Sequence, residues 1–182
     1  MIYIVIGIII LLIMWFISTY NSFIKLRNAC EEAFSTMDVY LKKRFDLIPN
    51  LVETVKGYAS HESETFEGIT KARSSISGAS DDTSRLKAEG ELSNALSRLL
   101  MINEAYPELK ADQNFLDLQN QLKVMEGEIT NARKYYNAVV NKYNIKCETI
   151  PSNIIASICK FVRKPLFEVS DESQRENVSV KF

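Results

Sequence analysis

Few side chains in this sequence have the type and spacing that metal binding requires. The chain has a single histidine, His61, within the polar run His61-Glu62-Ser63-Glu64. A zinc site needs three or four ligands in tetrahedral reach, and neither a second histidine nor a Cys-x-x-Cys pair is present to complete one. His61 is therefore predicted to be a solvated surface residue rather than a metal ligand or a pH sensor.

The sequence patterns of the common catalytic sites are also missing. A Ser/His/Asp or Cys/His site would have to use His61, and a di-iron bundle needs a histidine on each of two helices. The six glycines form neither G-x-G-x-x-G nor G-x-x-x-x-G-K-[ST], so no phosphate-binding loop is expected. The sequence predicts no enzyme activity, no bound metal and no cofactor.

Polar side chains surround a proline inside an apolar, helix-like stretch. Arg44, Asp46 and Asn50 lie close to Pro49 in the sequence. Proline cannot donate the backbone hydrogen bond of a helix, so a carbonyl one turn earlier loses its partner. We expect at least one of the three to cap the broken bonds or to bridge two helices, with a loss of about 1–3 kcal/mol on Asp46→Ala. A binding surface is the alternative.

Tyrosine–asparagine pairs recur two helical turns apart in the C-terminal part of the chain. Tyr136-Asn137 and Tyr143-Asn144 are separated by seven residues, which brings them to one helix face. We expect both tyrosines to be core residues whose hydroxyls find partners at the edge of a bundle. The alternatives are an exposed aromatic ridge that binds a partner and, with Arg133 nearby, an entry point for a ligand.

The N-terminal segment is predicted to cross a membrane. Met1 to Ile17 contains no charged side chain, and about 18 or more apolar residues span a bilayer core as a helix. Trp15, Phe16 and Tyr20 lie where interfacial aromatic residues belong. A cleaved signal peptide would need a basic start and a small-x-small cleavage site, and a buried core helix would be less uniformly apolar. A retained membrane helix is therefore favoured.

Charge and cysteine usage suggest where the rest of the chain lies. Lys25 and Arg27 follow the apolar segment and no lysine or arginine precedes it, so the positive-inside rule places the N-terminus outside and the larger part in the cytoplasm. Three cysteines without pairing spacing fit a reducing compartment. With 22 basic and 23 acidic residues, the chain has no positive surplus for nucleic acid.

The larger part is predicted to be an all-α antiparallel bundle of the four-helix type. Apolar residues recur at steps of three and four, which is typical of one helix face, and such helices must pack on each other. The rows are Leu26, Cys30, Ala33, Met37, Leu41, Phe45, Ile48, Val52, Val55 and Ala59, resuming at Phe66, Ile69, Ala72 and Ile76; Leu86, Leu92, Leu96, Leu99 and Leu100; and Phe115, Leu118, Leu122, Met125, Ile129, Ala132, Tyr136 and Tyr143.

The breaks between these rows set the expected boundaries. The first row keeps its phase through Pro49, which favours one kinked helix reaching Ile76 over a hairpin, with two helices as the alternative. The second helix should end near Tyr106-Pro107, and a short helix from Ile154 to Phe161 should follow the third. We expect a membrane helix over residues 1–20, a bundle over 21–165 and an irregular tail over 166–182 with an extended tip.

Several blocks of the sequence resemble the LemA family of bacterial membrane proteins. They are Tyr20-Asn21, Arg44 to Tyr58, Glu104 to Ala111 followed by Asn114-Phe115, Ala132 to Asn137 with Val140 and Tyr143-Asn144, Pro151 to Ala156, and Val180 to Phe182. The resemblance implies an all-α, four-helix-type bundle behind an N-terminal membrane helix. It implies no catalytic residues, because the family has no established activity. Members linked to membrane invagination imply a theme of membrane organisation or assembly. Cys159 and Lys160 depart from a stretch that contains glycine and phenylalanine in many members.

Together these features predict a membrane-anchored, non-enzymatic helical scaffold that binds other membrane-associated proteins, with self-association left open. One alternative is a lipid-binding or membrane-shaping module. Its basic strip would comprise Lys25, Arg27, Lys42, Lys43 and Arg44, since clustered basic side chains attract anionic lipid headgroups. A ligand sensor is the other alternative.

Overall fold

The computed structural model describes residues 1–167, and every regular element in that range is a helix. The predicted all-α class is therefore confirmed, while the four-helix type of the bundle stays a prediction. The helices are α1 (Ile2–Lys56), α2 (Ser63–Ser77), α3 (Asp82–Met101), α4 (Pro107–Ala111), α5 (Gln113–Glu148) and α6 (Ser152–Ile158), with a 3-10 turn at Ile102–Glu104.

Helix α1 begins in the apolar segment and continues through Pro49 for 55 residues. No residue of its most apolar 18-residue window is buried. A core helix would bury such a surface, so the structure contradicts that alternative and leaves the apolar segment free to face lipid. The helix is long and apolar enough to cross a membrane.

The first helix ends earlier than the sequence pattern predicted. A single helix from the anchor to Ile76 was the favoured prediction, but α1 stops at Lys56 and α2 is a separate helix. Between them, the backbone amides of Tyr58 and Ala59 both donate to the Val55 carbonyl and close a turn. Glu62 N–H then donates to the Ala59 carbonyl at 3.2 Å, so the chain turns between Gly57 and Glu62 rather than at Pro49.

Two other boundaries also differ from the prediction. α3 ends at Met101, and Tyr106-Pro107 starts α4 instead of ending α3. Proline suits this position because the first residue of a helix needs no amide donor.

The short helix α6 ends at Ile158, three residues before the predicted end. Phe161 N–H donates to the Ala156 carbonyl at 2.9 Å, and Lys160 N–H donates to the Ser157 carbonyl at 3.3 Å. Lys160 has φ 57°. This is the Schellman arrangement, in which the left-handed position is usually glycine. The expected tail over residues 168–182, with its extended tip, lies outside the described residues.

The described chain forms two compact units. Unit 1 contains residues 1–38 and 131–166, and unit 2 contains residues 39–130 with Phe167. The predicted domain boundaries stay a prediction. The core of unit 1 includes Phe23, Cys30, Ala33, Met37, Tyr136, Val140, Tyr143, Ile155 and Ala156. The core of unit 2 includes Ile48, Leu51, Val55, Ala59, Ile69, Leu92, Leu96, Leu99, Leu109, Phe115 and Leu122.

Candidate functional site

A fully buried arginine lies at the centre of unit 2. Arg44 is 0% exposed, and it occupies the same face of α1 as Leu41 and Ile48, which are also buried. Residues three and four positions apart share a helix face, so the sequence itself directs this charged side chain inward. A buried charge is costly unless it is paired and hydrogen-bonded, so the partners of Arg44 decide whether the site is stable.

Two other helices supply those partners. Arg44 Nη2 lies 2.5 Å from Glu89 Oε2 on α3, and Arg44 Nη1 lies 2.7 Å from Glu126 Oε1 on α5. Nη1 also donates to Ser93 Oγ at 2.6 Å, and Nη2 donates to the Glu89 carbonyl at 3.3 Å. Among the described residues, Arg44 Nε has no partner. One guanidinium thus joins α1 to α3 and α5.

The environments of the two carboxylates differ sharply. The Glu89 side chain is 2% exposed, whereas the Glu126 side chain is 36% exposed. Glu89 is therefore buried against Arg44, whereas water solvates part of Glu126. A guanidinium carries N–H donors and no acceptor, which suits it to bridging several oxygen atoms rather than to nucleophilic attack. The geometry favours a helix-joining role for the cluster.

Sequence analysis identified Arg44 but missed its partners. Glu89 lies between Leu86 and Leu92 on the buried face of α3, where the apolar row skips a position. This gap in the apolar row was the feature of the sequence that could have identified Glu89 as a buried partner. The predicted position of Phe45 in the core row is wrong, because Arg44 takes the core position and Phe45 is only half-buried. The Arg73 guanidinium lies 4.3 Å from the centre of the Phe45 ring.

The other residues near Pro49 face solvent. Asp46 pairs with Lys42 at 3.2 Å, and both side chains are largely exposed. Pro49 and Asn50 are exposed as well, and the Asn50 backbone carbonyl accepts a bond from Thr54 Oγ1 at 2.9 Å. The expected stability loss on Asp46→Ala therefore does not follow from this geometry. Burial also removes Arg44 from the basic strip that was considered for lipid binding.

In unit 1, the predicted tyrosine and asparagine side chains hold the segment that follows α6. Tyr136 is buried, and its hydroxyl donates to the Pro165 carbonyl at 2.9 Å. Asn144 is buried too; its Nδ2 donates to the Lys164 carbonyl, and its Oδ1 accepts from Lys164 N–H, both at 2.9 Å. An exposed aromatic ridge at these positions is thus contradicted, because Tyr136, Tyr143 and Asn144 are all buried.

Tyr143 packs beside the start of the bundle portion of α1. Its ring lies edge-on to Phe23, with 6.2 Å between the ring centroids. Burial, and to a lesser extent the neighbouring Cys147 thiol, raises the pKa of Tyr143 to about 12. Burial likewise raises the pKa of the Cys30 and Cys147 thiols. A raised pKa disfavours the thiolate, so Cys30 and Cys147 are not activated nucleophiles.

The remaining candidates occupy partly buried or exposed positions. Arg133 and Asn137 are partly buried on α5, and His61 is exposed. The Tyr106 hydroxyl donates to Glu62 Oε1 at 3.2 Å, which links the start of α4 to the turn before α2.

A second link of this kind, between Tyr58 and Asp112, was not predicted from the sequence. Tyr58 donates to Asp112 Oδ2 at 2.9 Å, and Asp112 Oδ1 accepts from Phe115 N–H at 2.7 Å, so Asp112 caps α5. The bonds from Phe115 N–H and Tyr58 lower the pKa of Asp112. An aspartate directly before a helix is a preferred N-cap residue, and this was the feature of the sequence that could have identified Asp112.

Comparison with known proteins gives one consistent result. The chain is 26% identical over 152 residues to Protein LemA of Metamycoplasma hominis, a match that covers 83% of this chain and 69% of that protein. It is 26% identical over 178 residues to Magnetosome protein MamQ 2 of Paramagnetospirillum magneticum, with 82% and 64% covered. Against Magnetosome protein MamQ of Magnetospirillum gryphiswaldense it is 25% identical over 174 residues, with 81% and 64% covered.

The chain therefore spans less than two thirds of the length of the MamQ relatives. The sequence profile of the LemA family matches residues 33–182, which include Arg44 and the network around Asn144. The chain belongs to the LemA family.

Proposed function

We propose that this protein is a membrane-anchored, non-enzymatic scaffold that presents its helical bundle to other membrane-associated proteins. The observation that carries the proposal is the continuity of α1. The exposed apolar segment continues without a linker into packed helix, and Phe23, just beyond Tyr20, is already fully buried. A bundle attached in this way is held close to the bilayer.

The relatives support the same role. The matched proteins are named as LemA and as magnetosome proteins, and none of those names describes an enzyme. The buried Arg44 cluster and the Asn144 network supply internal cohesion, which a scaffold needs in order to present fixed surfaces. The bundle is proposed to lie in the cytoplasm, since the basic residues Lys25 and Arg27 follow the membrane segment.

Site-specific photo-crosslinking in intact cells tests the scaffold role. A photoreactive residue would replace Val124 or Met101, which are exposed apolar side chains of unit 2, or Tyr3 in the anchor as a matched control. We expect discrete protein adducts from the bundle positions that the anchor position does not give. Adducts to lipid alone, or none from either bundle position in a folded protein, would contradict the proposal.

Orientation needs its own test, because a scaffold on the other side of the membrane would meet different partners. Cys30, Cys147 and Cys159 would be replaced by serine, and one cysteine introduced in a short polar extension before Met1 or at the exposed Lys123. A membrane-impermeant thiol reagent should label intact cells only at the N-terminal extension. Labelling only at position 123 would reverse the orientation and refute the cytoplasmic location.

A further inference from the structure

An apolar surface outside the anchor remains exposed at the C-terminal end of unit 1. Ile150, Ile154, Ile158 and Val162 are 78%, 55%, 66% and 72% exposed. Ile154 and Ile158 are one helical turn apart on α6, so they share a face. Ile155 and Ala156 on the same helix are buried. We call Ile150, Ile154, Ile158 and Val162 the α6 apolar surface.

The position of this surface along α1 follows from side-chain contacts within unit 1. Phe34 contacts Tyr136, with 5.8 Å between ring centroids, and Phe23 contacts Tyr143. Further along, Lys146 Nζ donates to Ser22 Oγ. The contact partners on α1 therefore move toward the N-terminus as α5 advances. Helix α5 runs antiparallel to this part of α1, and its C-terminal end approaches the anchor.

The chain beyond α6 returns to the part of α1 that directly follows the apolar segment. The Phe161 ring stacks on Phe23 with 4.7 Å between centroids, and it lies 5.7 Å from the Tyr20 ring. Tyr20 is the last aromatic residue at the end of the apolar segment, where the membrane interface is expected. Ile150, Ile154 and Ile158 lie in the chain between two attachment points, Lys146 and Phe161, that both contact α1 at residues 20–23, and Val162 directly follows the second of them.

Basic side chains accompany this surface. Lys160 directly precedes Phe161 and is exposed, and Arg163 lies 2.8 Å from Glu148 at the end of α5. Lys25 is exposed one turn beyond Ser22 on α1. Apolar side chains flanked by lysine and arginine are the composition of helices that lie in the plane of a membrane interface.

We propose that α6 and its flanking residues form an interfacial membrane element. The α6 apolar surface inserts into the boundary between headgroups and acyl chains, and the nearby basic side chains contact anionic headgroups. The bilayer is the occupant that the geometry favours, since α1 places lipid at the level of Tyr20 whenever the anchor spans a membrane. The bundle is then attached to the membrane at two points, the anchor and α6, and the second point restricts rotation and tilt about the first. This inference does not require the scaffold role.

Depth-dependent fluorescence quenching on the full-length protein tests the proposal. The protein, with Cys30, Cys147 and Cys159 replaced by alanine, would be reconstituted into vesicles of phosphatidylcholine and phosphatidylglycerol. Single cysteines at Ile154 or Ile158 would carry an environment-sensitive dye. Ile13→Cys in the anchor is the positive control. Lys134→Cys is the matched aqueous control, because it is exposed on α5 about 18 Å from Lys146 at 1.5 Å per residue.

We expect blue-shifted emission at positions 154 and 158. Nitroxide lipids labelled near the headgroup should quench these positions several-fold more than position 134. Emission and quenching equal to those at position 134 would overturn the proposal. Blue-shifted emission without lipid quenching would also overturn it. That result would point to a second copy if dilution into excess lipid removed the shift, or to residues 168–182 if their deletion removed it.

The contribution of the basic residues is tested separately. Lys160→Gln should reduce quenching at position 158 in vesicles that contain phosphatidylglycerol and leave it unchanged in phosphatidylcholine alone. Equal quenching of both proteins in both vesicle types would overturn the headgroup contact.

Discussion

The two units of this protein stabilise their interiors with different polar chemistry. In unit 2, an arginine on one helix pairs with carboxylates on two others. In unit 1, the neutral side chains of Tyr136 and Asn144 bond to the backbone of residues 164 and 165. The backbone N–H and C=O groups within a helix are hydrogen-bonded to each other. Polar links between packed helices are therefore made by side chains. A segment without regular structure has backbone groups that still need partners.

This difference has energetic consequences. A buried ion pair is costly to break because the partner left behind is an uncompensated charge. A neutral side chain that satisfies backbone groups leaves behind only unpaired dipoles when it is removed. We therefore expect the two networks to differ in the size of their mutational effects and in their response to pH.

The largest effect is expected on breaking the charged network. Arg44→Met removes the charge that pairs with the buried Glu89 carboxylate and should reduce the free energy of unfolding by about 3–5 kcal/mol. Urea unfolding of the full chain in detergent micelles, followed by far-UV circular dichroism, measures this loss. Lys42→Met, an exposed neighbour on α1, is the matched control and should have little effect.

A second variant shows whether that loss comes from the unpaired charge or from lost packing. Combining Arg44→Met with Glu89→Leu removes both charges from the interior and should recover much of the stability. A double variant no more stable than Arg44→Met alone would contradict the account given for unit 2.

A smaller loss is expected in the neutral network. Asn144→Leu removes the partners of both Lys164 backbone groups and should cost about 1–3 kcal/mol. The effect should be local, so hydrogen exchange at the Lys164 amide is the sharper measurement. Asn144→Asp is the matched variant, since it can still accept from Lys164 N–H but cannot donate to the Lys164 carbonyl. Unchanged exchange in Asn144→Leu would show that the side chain does not hold this segment.

The free energy of unfolding should depend on alkaline pH through Tyr143 in unit 1. The folded pKa of Tyr143, about 12, is above the ordinary value of 10.0. Its stabilising contribution is therefore fully present below the unfolded pKa and is lost as pH rises from about 10 toward 12. Urea unfolding of the wild type and of Tyr143→Phe at a series of alkaline pH values measures the difference. The wild type should lose more stability than the variant, and parallel curves would refute the assignment.

The smallest effect is expected at Asp46. Its pair with Lys42 is solvent-exposed and spans one helical turn, so Asp46→Ala should change the free energy of unfolding by about 0.5 kcal/mol or less. Urea unfolding beside Arg44→Met gives a direct comparison of the exposed and buried faces of α1. A loss comparable to that of Arg44→Met would restore a structural role for Asp46.

Much of the architecture could be predicted from the pattern of neighbouring residues in the sequence. Apolar periodicity predicted the helices, and the phase of the row through Pro49 predicted that α1 would not end there. Arg44 and Tyr136 were selected as structural candidates from their spacing alone. The end of α1 was missed because Ala59 keeps the apolar phase and is buried, although the helix has already ended at Lys56. Phe45 was misplaced because a hydrophobic residue was preferred over the adjacent arginine at a core position.

The sequence by itself determined the apolar N-terminal segment, the all-helical class and the absence of the common catalytic motifs. These follow from composition and periodicity, which are properties of neighbouring residues. Only the tertiary structure decided which carboxylates compensate Arg44, which backbone groups Asn144 satisfies, and that the exposed isoleucines of α6 belong to a segment attached beside the anchor. Such pairings join residues far apart in the chain, and packing selects them from many partners of equal chemical type.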